Sequence, residues 1–228
     1  MKTYQNYSRS GAPKTAVGGR NKRKQGKKDT KTEILNGAIN LFSRKGYTET
    51  SMREIALEAD IQPGSIYNHF KSKQEILDYI LDTYSAYVEE NAYSNSAVEK
   101  LKEGVTLDKI LECMSISFPE NDSGNFRKML YIILHEQHRI DAVRQYVIEK
   151  FIFQNERYVK GIVDMLLEDD LIEPVDSDAV AKLHVATLYF WSNANLFGID
   201  DTPSFSYKNG MAGILRFLFS ETIRIKAQ

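Results

Sequence analysis

From Thr30 onward, apolar residues recur at three- and four-residue steps, the period of an amphipathic helix. The stripe Ile34, Leu35, Ala38, Leu41 and Phe42 predicts a first helix, with Gly46 placed to close it. Three Ser/Thr-x-x-Glu quartets mark helix starts, because the hydroxyl and the carboxylate can each satisfy a free N–H of a first turn. They are "TKTE" (Thr30 to Glu33), "SMRE" (Ser51 to Glu54) and "SKQE" (Ser72 to Glu75). The second opens a short helix with Ile55, Ala56 and Ala59 inward. The third opens a longer one with Ile76, Leu77, Ile80, Leu81, Tyr84, Tyr87 and Val88 on one side.

Between those two helices lies "ADIQPGSIYNHFKSK", Ala59 to Lys73. Proline is tolerated in the first turn of a helix, where the N–H it lacks would be unbonded anyway. The segment from Pro63 to Phe70 is therefore predicted as a short helix, with Ile66 and Phe70 packing inward against Ile61, Ile55 and Ala56. Gly64 and Asn68 then fall on the opposite side, flanked by Ser65 and Tyr67.

Beyond residue 93 the pattern predicts helices over 105–118, 124–138, 140–169, 177–198 and 208–225, separated by Pro- and Gly-containing breaks. The helix over 140–169 carries Val143, Tyr146, Val147, Phe151, Tyr158, Ile162, Met165 and Leu166 at helical steps. No strand alternation and no internal repeat is convincing, so the fold class is all-α.

Charge divides what pattern does not. The formal net charge is −1, but residues 1–28 hold nine Lys or Arg and no acid, a sum of +9, against −3 for 29–82 and −7 for 83–228. The arm has no apolar periodicity and reads as disordered. A basic front end on an acidic body favours a nucleic-acid or anionic partner. The single Cys113 excludes an intrachain disulfide and suits a reducing compartment. No apolar run reaches the roughly 20 residues of a membrane span, and no secretory leader is evident, so a cytoplasmic location with no membrane partner is expected. The stretch 183–199 contains no Asp, Glu, Lys or Arg, and 209–220 contains only Arg216. Helices apolar around most of their circumference need burial on two sides. The helices over 177–198 and 208–225 are thus expected to form a homodimer.

Two short helices joined by a tight turn, the second presenting small and polar groups outward, have the layout of a helix-turn-helix. The major groove admits such a helix, and Gln or Asn can pair bidentately with adenine there. The stretch "TSMREIALEADIQPGSIYNHFKSKQEIL", Thr50 to Leu77, resembles the DNA-binding signature of TetR-family transcriptional regulators. Matching residues are Thr50, Ser51, Ile55, Ala56, Ala59, Ile61, Gly64, Ser65, Ile66, Tyr67, His69, Phe70, Ser72, Lys73 and Leu77. Asp60 stands where the family usually has Gly, and aspartate reaches the left-handed turn conformation at modest cost. Gln62 replaces a common Ser or Thr and bears on which bases are read.

The resemblance implies an N-terminal three-helix DNA-binding domain with a helix-turn-helix over 29–77, and a C-terminal helical ligand-binding and dimerisation domain over 78–228, behind a basic arm of 1–28. It implies that Gln62, Pro63, Gly64, Ser65 and Asn68 face the groove while Tyr67, His69 and Lys73 hold phosphates. Ser51 and Arg53 are further backbone-contact candidates. The expected function is a one-component transcriptional regulator, a repressor by family analogy. It would bind a pseudo-palindromic double-stranded operator as a homodimer and be released by a small-molecule effector.

Met114, Phe118, Tyr131, His135, Tyr158, Trp191 and Asn195 are candidate pocket lining. The alternative is an architectural or protein-recruiting DNA binder without a small ligand. An enzyme is not expected: there is no G-x-S-x-G, G-x-G or Walker-type loop. His135 and His138 form H-E-x-H without a further nearby Cys or His, so no metal and no cofactor is expected.

Overall fold

A computed structural model describes residues 29–91, 98, 99, 101, 103–114, 124–194 and 207–226. The basic arm of 1–28, together with Phe118 and Asn195, lies outside them. The described elements are helical: α1 (Thr30–Lys45), α2 (Met52–Glu58), a 3-10 turn (Ser65–Asn68), α3 (Lys73–Asn91), α4 (Leu107–Met114), α5 (Asn125–Glu136) and α6 (Asp141–Tyr146). A π-helical segment (Val147–Phe153) then leads into α7 (Gln154–Glu168), followed by α8 (Ser177–Ala194) and α9 (Tyr207–Thr222). The only β pairing among the described residues is an isolated bridge between Ile172 and Ile225. None of the described helices is long and apolar enough to cross a membrane.

Local chemistry sets the helix starts. Ser51 forms both arms of its capping box: its hydroxyl accepts from the Glu54 amide, and the Glu54 carboxylate accepts from the Ser51 amide at 2.8 Å. The first helix departs from the expected quartet, because its cap is Asp29, whose carboxylate accepts from the Lys31 amide and the Thr32 hydroxyl. A carboxylate at the positive end of a helix offers a charged acceptor that a Thr hydroxyl does not. At α3 the Ser72 hydroxyl accepts from the Glu75 amide, but the Glu75 carboxylate reaches back to the Lys71 amide at 2.6 Å rather than to Ser72.

The helical end expected at 225 also differs in detail, while the break before 208 lies outside the described residues. Helix α9 stops at Thr222, because Arg224 and Lys226 pair with the 171–173 backbone through Glu173 N–H to Arg224 C=O and Lys226 N–H to Leu171 C=O. The stretch expected as one helix over 140–169 is continuous, with its middle wound as a π segment that the apolar spacing does not reveal.

One contiguous core runs through both ends of the chain. Ile34, Ala38, Phe42, Ile55, Ile66, Phe70, Ile76 and Leu77 form its N-terminal part, while Val159, Ile162, Val163, Leu166, Val180, Ala181 and Leu188 fill the α7–α8 contact. Phe126 of α5 stacks on Tyr84 of α3 with ring centroids 4.6 Å apart, fastening the long third helix to the body.

Candidate nucleic-acid interface

Helix α2 ends in a Schellman-type turn. The Ile61 amide donates back to Ala56 C=O and the Asp60 amide to Leu57 C=O, with Asp60 in the left-handed conformation at φ 55°. Aspartate therefore does occupy the position where glycine was usual. The next turn is closed by Ser65 N–H donating to Gln62 C=O at 2.8 Å, across Pro63 and Gly64.

The segment expected as a short helix from Pro63 to Phe70 is tighter than that, a 3-10 turn over Ser65–Asn68. At this length α-helical propagation gains little, and the i→i+3 pattern closes sooner. Ile66 and Phe70 are fully buried as expected, and they tie the turn to α1, α2 and α3. This anchoring leaves Gln62, Gly64, Tyr67, Asn68 and His69 exposed, with Pro63 and Ser65 half-buried. Tyr67 keeps 56% of its surface open, unusual for a residue of its size in a well-packed head.

Gly64 is informative by what surrounds it. Its φ of −72° is open to any L-residue, and a Cβ built there would meet no atom within 4 Å. Neither conformation nor internal packing requires glycine at this position.

At the start of α2, Arg53 is exposed and the Ser51 hydroxyl also donates to Glu54 at 2.7 Å. The Lys45 ammonium lies 2.5 Å from the Glu54 carboxylate. That bond, with help from Ser51, holds the Glu54 pKa down to about 2. The acid beside the expected backbone contacts is thus a paired anion.

Lys73 is placed differently from the rest. Its ammonium donates to Tyr47 C=O at 2.6 Å, Thr50 C=O at 2.7 Å and Thr48 C=O at 3.2 Å, and sits 4.3 Å from the Tyr47 ring centroid. An ammonium has three donors, and all three are engaged inside the protein. Burial lowers its pKa. In this structure Lys73 clamps the 47–50 turn, and the phosphate role expected of it has no free donor to act through. Lys71, two residues earlier, is exposed. Sequence pattern pointed to Lys73 because it matched the family signature, and nothing in that pattern separates a clamp from a contact.

Of the candidate pocket residues, Phe118 and Asn195 lie outside the described residues. Met114 and Trp191 are core, Tyr131 and His135 stack on each other along α5, and the Tyr158 hydroxyl donates to Cys113 C=O at 3.1 Å. None of them lines the cleft between α3 and the π segment. That cleft is bounded by Tyr84, Ser85, Tyr146, Lys150, Gln154 and Asn155, and its free volume of about 20 Å³ is room for a single water. Within it the Tyr146 and Ser85 hydroxyls share a hydrogen bond of 2.8 Å, and burial pushes the Tyr146 phenol pKa up. No group of three or more His, Cys, Asp or Glu able to hold a metal occurs among the described residues.

A helix-turn-helix head carried on a helical body defines a class of DNA-binding transcriptional regulator. Comparison with known proteins shows which family the head resembles. The profile for bacterial regulatory proteins of the TetR family matches residues 34–80. The HTH-type transcriptional repressor KstR2 of Rhodococcus jostii (strain RHA1) is 45% identical over 56 residues, 25% of this chain and 28% of the relative. The HTH-type transcriptional regulator YhgD of Bacillus subtilis (strain 168) is 28% identical over 177 residues, 72% of this chain and 84% of the relative. Thus the chain matches little more than a quarter of the length of one and most of the other. A solved structure of AibR in complex with isovaleryl coenzyme A and operator DNA shares the fold. Its TM-score is 0.57 at 20% identity, covering 82% of this chain and 98% of that one. Residues 34–80 thus match the DNA-binding part of the TetR family, and over most of its length the chain is similar to HTH-type transcriptional regulators.

Proposed function

We propose that the protein is a homodimeric repressor that binds a pseudo-palindromic operator and is released by a small molecule. The observation that carries the DNA-reading face is Gly64: the free protein has no internal use for a glycine there, whereas a groove wall pressed against the turn would. Gln62, Pro63, Gly64, Ser65 and Asn68 are assigned to the groove. Tyr67, His69, Ser51 and Arg53 are assigned to the phosphates, and Lys73 is read as the clamp that holds the turn before α2.

Dimerisation is supported by the apolar surface left on α8 and α9. Phe190 is 57% exposed, Phe217 66% and Ile214 42%, on the stretches 183–194 and 209–220, whose one charged residue is Arg216. A second copy seated there covers these side chains and sets two reading heads about 34–36 Å apart, one turn of DNA. Repression follows the relative KstR2, and a DNA complex that also holds an acyl-coenzyme A follows AibR.

The effector is the part with a competing reading. The α3–π-segment cleft admits only a water, which is what an architectural or protein-recruiting DNA binder without a ligand would show. On the effector reading this cleft opens, since it lies against α3, the helix that leads out of the head. Gel-shift stoichiometry on DNA from upstream of its own gene tests the proposal. Two protomers per duplex and release by at least one compound of a small-molecule panel support it. Two protomers with no release by any compound favour the alternative.

A further inference from the structure

Glu136, the last residue of α5, is only 1% exposed. One carboxylate oxygen accepts from the Tyr47 amide at 2.9 Å and lies 3.5 Å from Nδ1 of His135; the other is buried with no hydrogen-bond partner among the described residues. Tyr47 belongs to the same 47–50 turn whose carbonyls hold Lys73. Gly46 makes the approach possible: it has φ +88°, and a Cβ there would stand 3.3 Å from the Glu136 oxygen. A carboxylate from the body of the protein thus reaches into the turn that opens the helix-turn-helix.

Glu136 is the last of three fasteners. The Asn125 amide donates to Asn36 at 2.8 Å, Lys128 to Asn40 at 2.7 Å, and Tyr47 N–H to Glu136. The partners lie 89, 88 and 89 positions apart, so α1 and α5 run parallel in constant register. Over this length the head cannot rotate against α5 without breaking polar contacts, one of them buried.

Stability does not explain the buried charge. Taking a carboxylate out of water is expensive, and an apolar residue of similar size is often as good or better for the folded state. An oxygen left without a partner makes that balance worse. What a buried polar contact does supply is a single allowed arrangement of the pieces it joins.

We propose that Glu136 is a positioning residue for operator recognition: by holding the Tyr47 amide it locks the head onto α5 and fixes the separation at which the two heads of a dimer read their half-sites. This rests on the reading of the protein as an operator-binding dimer. It adds a residue remote from the DNA that governs half-site spacing and leaves base preference alone.

The test uses the full chain and the variants Glu136→Leu, which keeps volume, and Glu136→Gln, which keeps an acceptor for the Tyr47 amide. Hydrogen exchange at the Tyr47 amide reads the lock itself. It should speed up roughly tenfold or more in Glu136→Leu, the weight of one hydrogen bond to a charged group, and stay slow in Glu136→Gln. Binding to duplexes with inserted or deleted base pairs between half-sites reads the consequence. The wild type should prefer one spacing, Glu136→Leu should lose that discrimination by about tenfold while keeping the wild-type base preference, and Glu136→Gln should restore it.

A folded Glu136→Leu protein with the wild-type spacing profile overturns the proposal. So does an unchanged Tyr47 exchange rate, or an equal loss on an isolated half-site. If the wild type itself selects no paired half-sites, the operator-binding reading fails instead, and the exchange measurement still decides whether the lock exists.

Discussion

The Lys73 ammonium lies 2.6 Å from the carbonyl of Tyr47 and 4.3 Å from the centroid of its ring, so one residue of the 47–50 turn takes both a hydrogen bond and a cation–π contact from the same charge. This pairs the start of α3 with the turn that precedes α2 and holds the helix-turn-helix closed on its own base. Lys73→Met should therefore lower stability by about 1.5–3 kcal/mol, the range for a hydrogen bond made by a charged group. Measured on the fraction that remains folded, the slope of log affinity against log salt should match the wild type. A slope smaller by about one unit would instead mark a lost phosphate contact.

Gly64→Ala separates the protein's needs from those of its partner. With φ at −72° and open space around it, alanine fits the free protein and should leave stability unchanged or raise it by about 0.4–1 kcal/mol. Affinity for the selected operator should fall, since the added methyl stands where the groove wall approaches. Thermal melts and titrations on the same preparation check both halves, and unchanged operator affinity would remove Gly64 from the interface.

Gln62 is exposed immediately before the turn and, with Asp60, is one of two residues that depart from the family pattern. Gln62→Ala should relax base preference at one position in each half-site by about 1–3 kcal/mol, the value of a good bidentate pair. Competition between single-base operator variants measures this directly. An equal loss on every variant would mean that Gln62 contacts backbone.

His184 lies fully inside the α8–α9 contact, stacked against Phe219, and burial alone lowers its pKa from 6.5 to about 4. The folded protein keeps this imidazole neutral while the unfolded chain takes up a proton below about pH 6.5. Its contribution is therefore complete above pH 6.5 and lost progressively as pH falls toward 4, to the extent of about 3 kcal/mol. Melting of wild type and His184→Gln across pH 7 to 4 should show a steeper fall for wild type. Parallel curves would contradict the assignment.

The exposed phenyl groups of α8 and α9 give a sharp test of association. Phe217→Asp, at 66% exposure, should leave the monomer fold intact and shift sedimentation equilibrium toward monomer. If the variant remains as associated as wild type, the dimer uses another surface.

Much of this was legible in the sequence, and the reasons are local. Capping chemistry at Ser51, the Gly46 stop, the left-handed Asp60 and the inward Ile66 and Phe70 are set by neighbours within a few positions. Asp29 displaced Thr30 as the first cap because a charged acceptor one residue earlier competes for the same amides. The recognition segment proved to be a 3-10 turn, since its apolar spacing fits either helical form. Lys73 and Glu136 were beyond such reading. Lys73 looks like any surface cation until the 47–50 carbonyls are folded around it. Glu136 drew notice only within H-E-x-H, while its partner lies 89 positions away. Nor does spacing show which aromatic side chains surround a cavity, and the cleft is lined by residues other than those proposed.

The measurement closest to the central claim is selection of binding sites from a random duplex library by the purified full-length protein at physiological salt. Enrichment of an inverted repeat, with half-sites about one helical turn apart, is the expected result for a dimer reading two major grooves. Salt-sensitive binding with no enriched motif would contradict it, leaving a protein that holds DNA by its backbone alone.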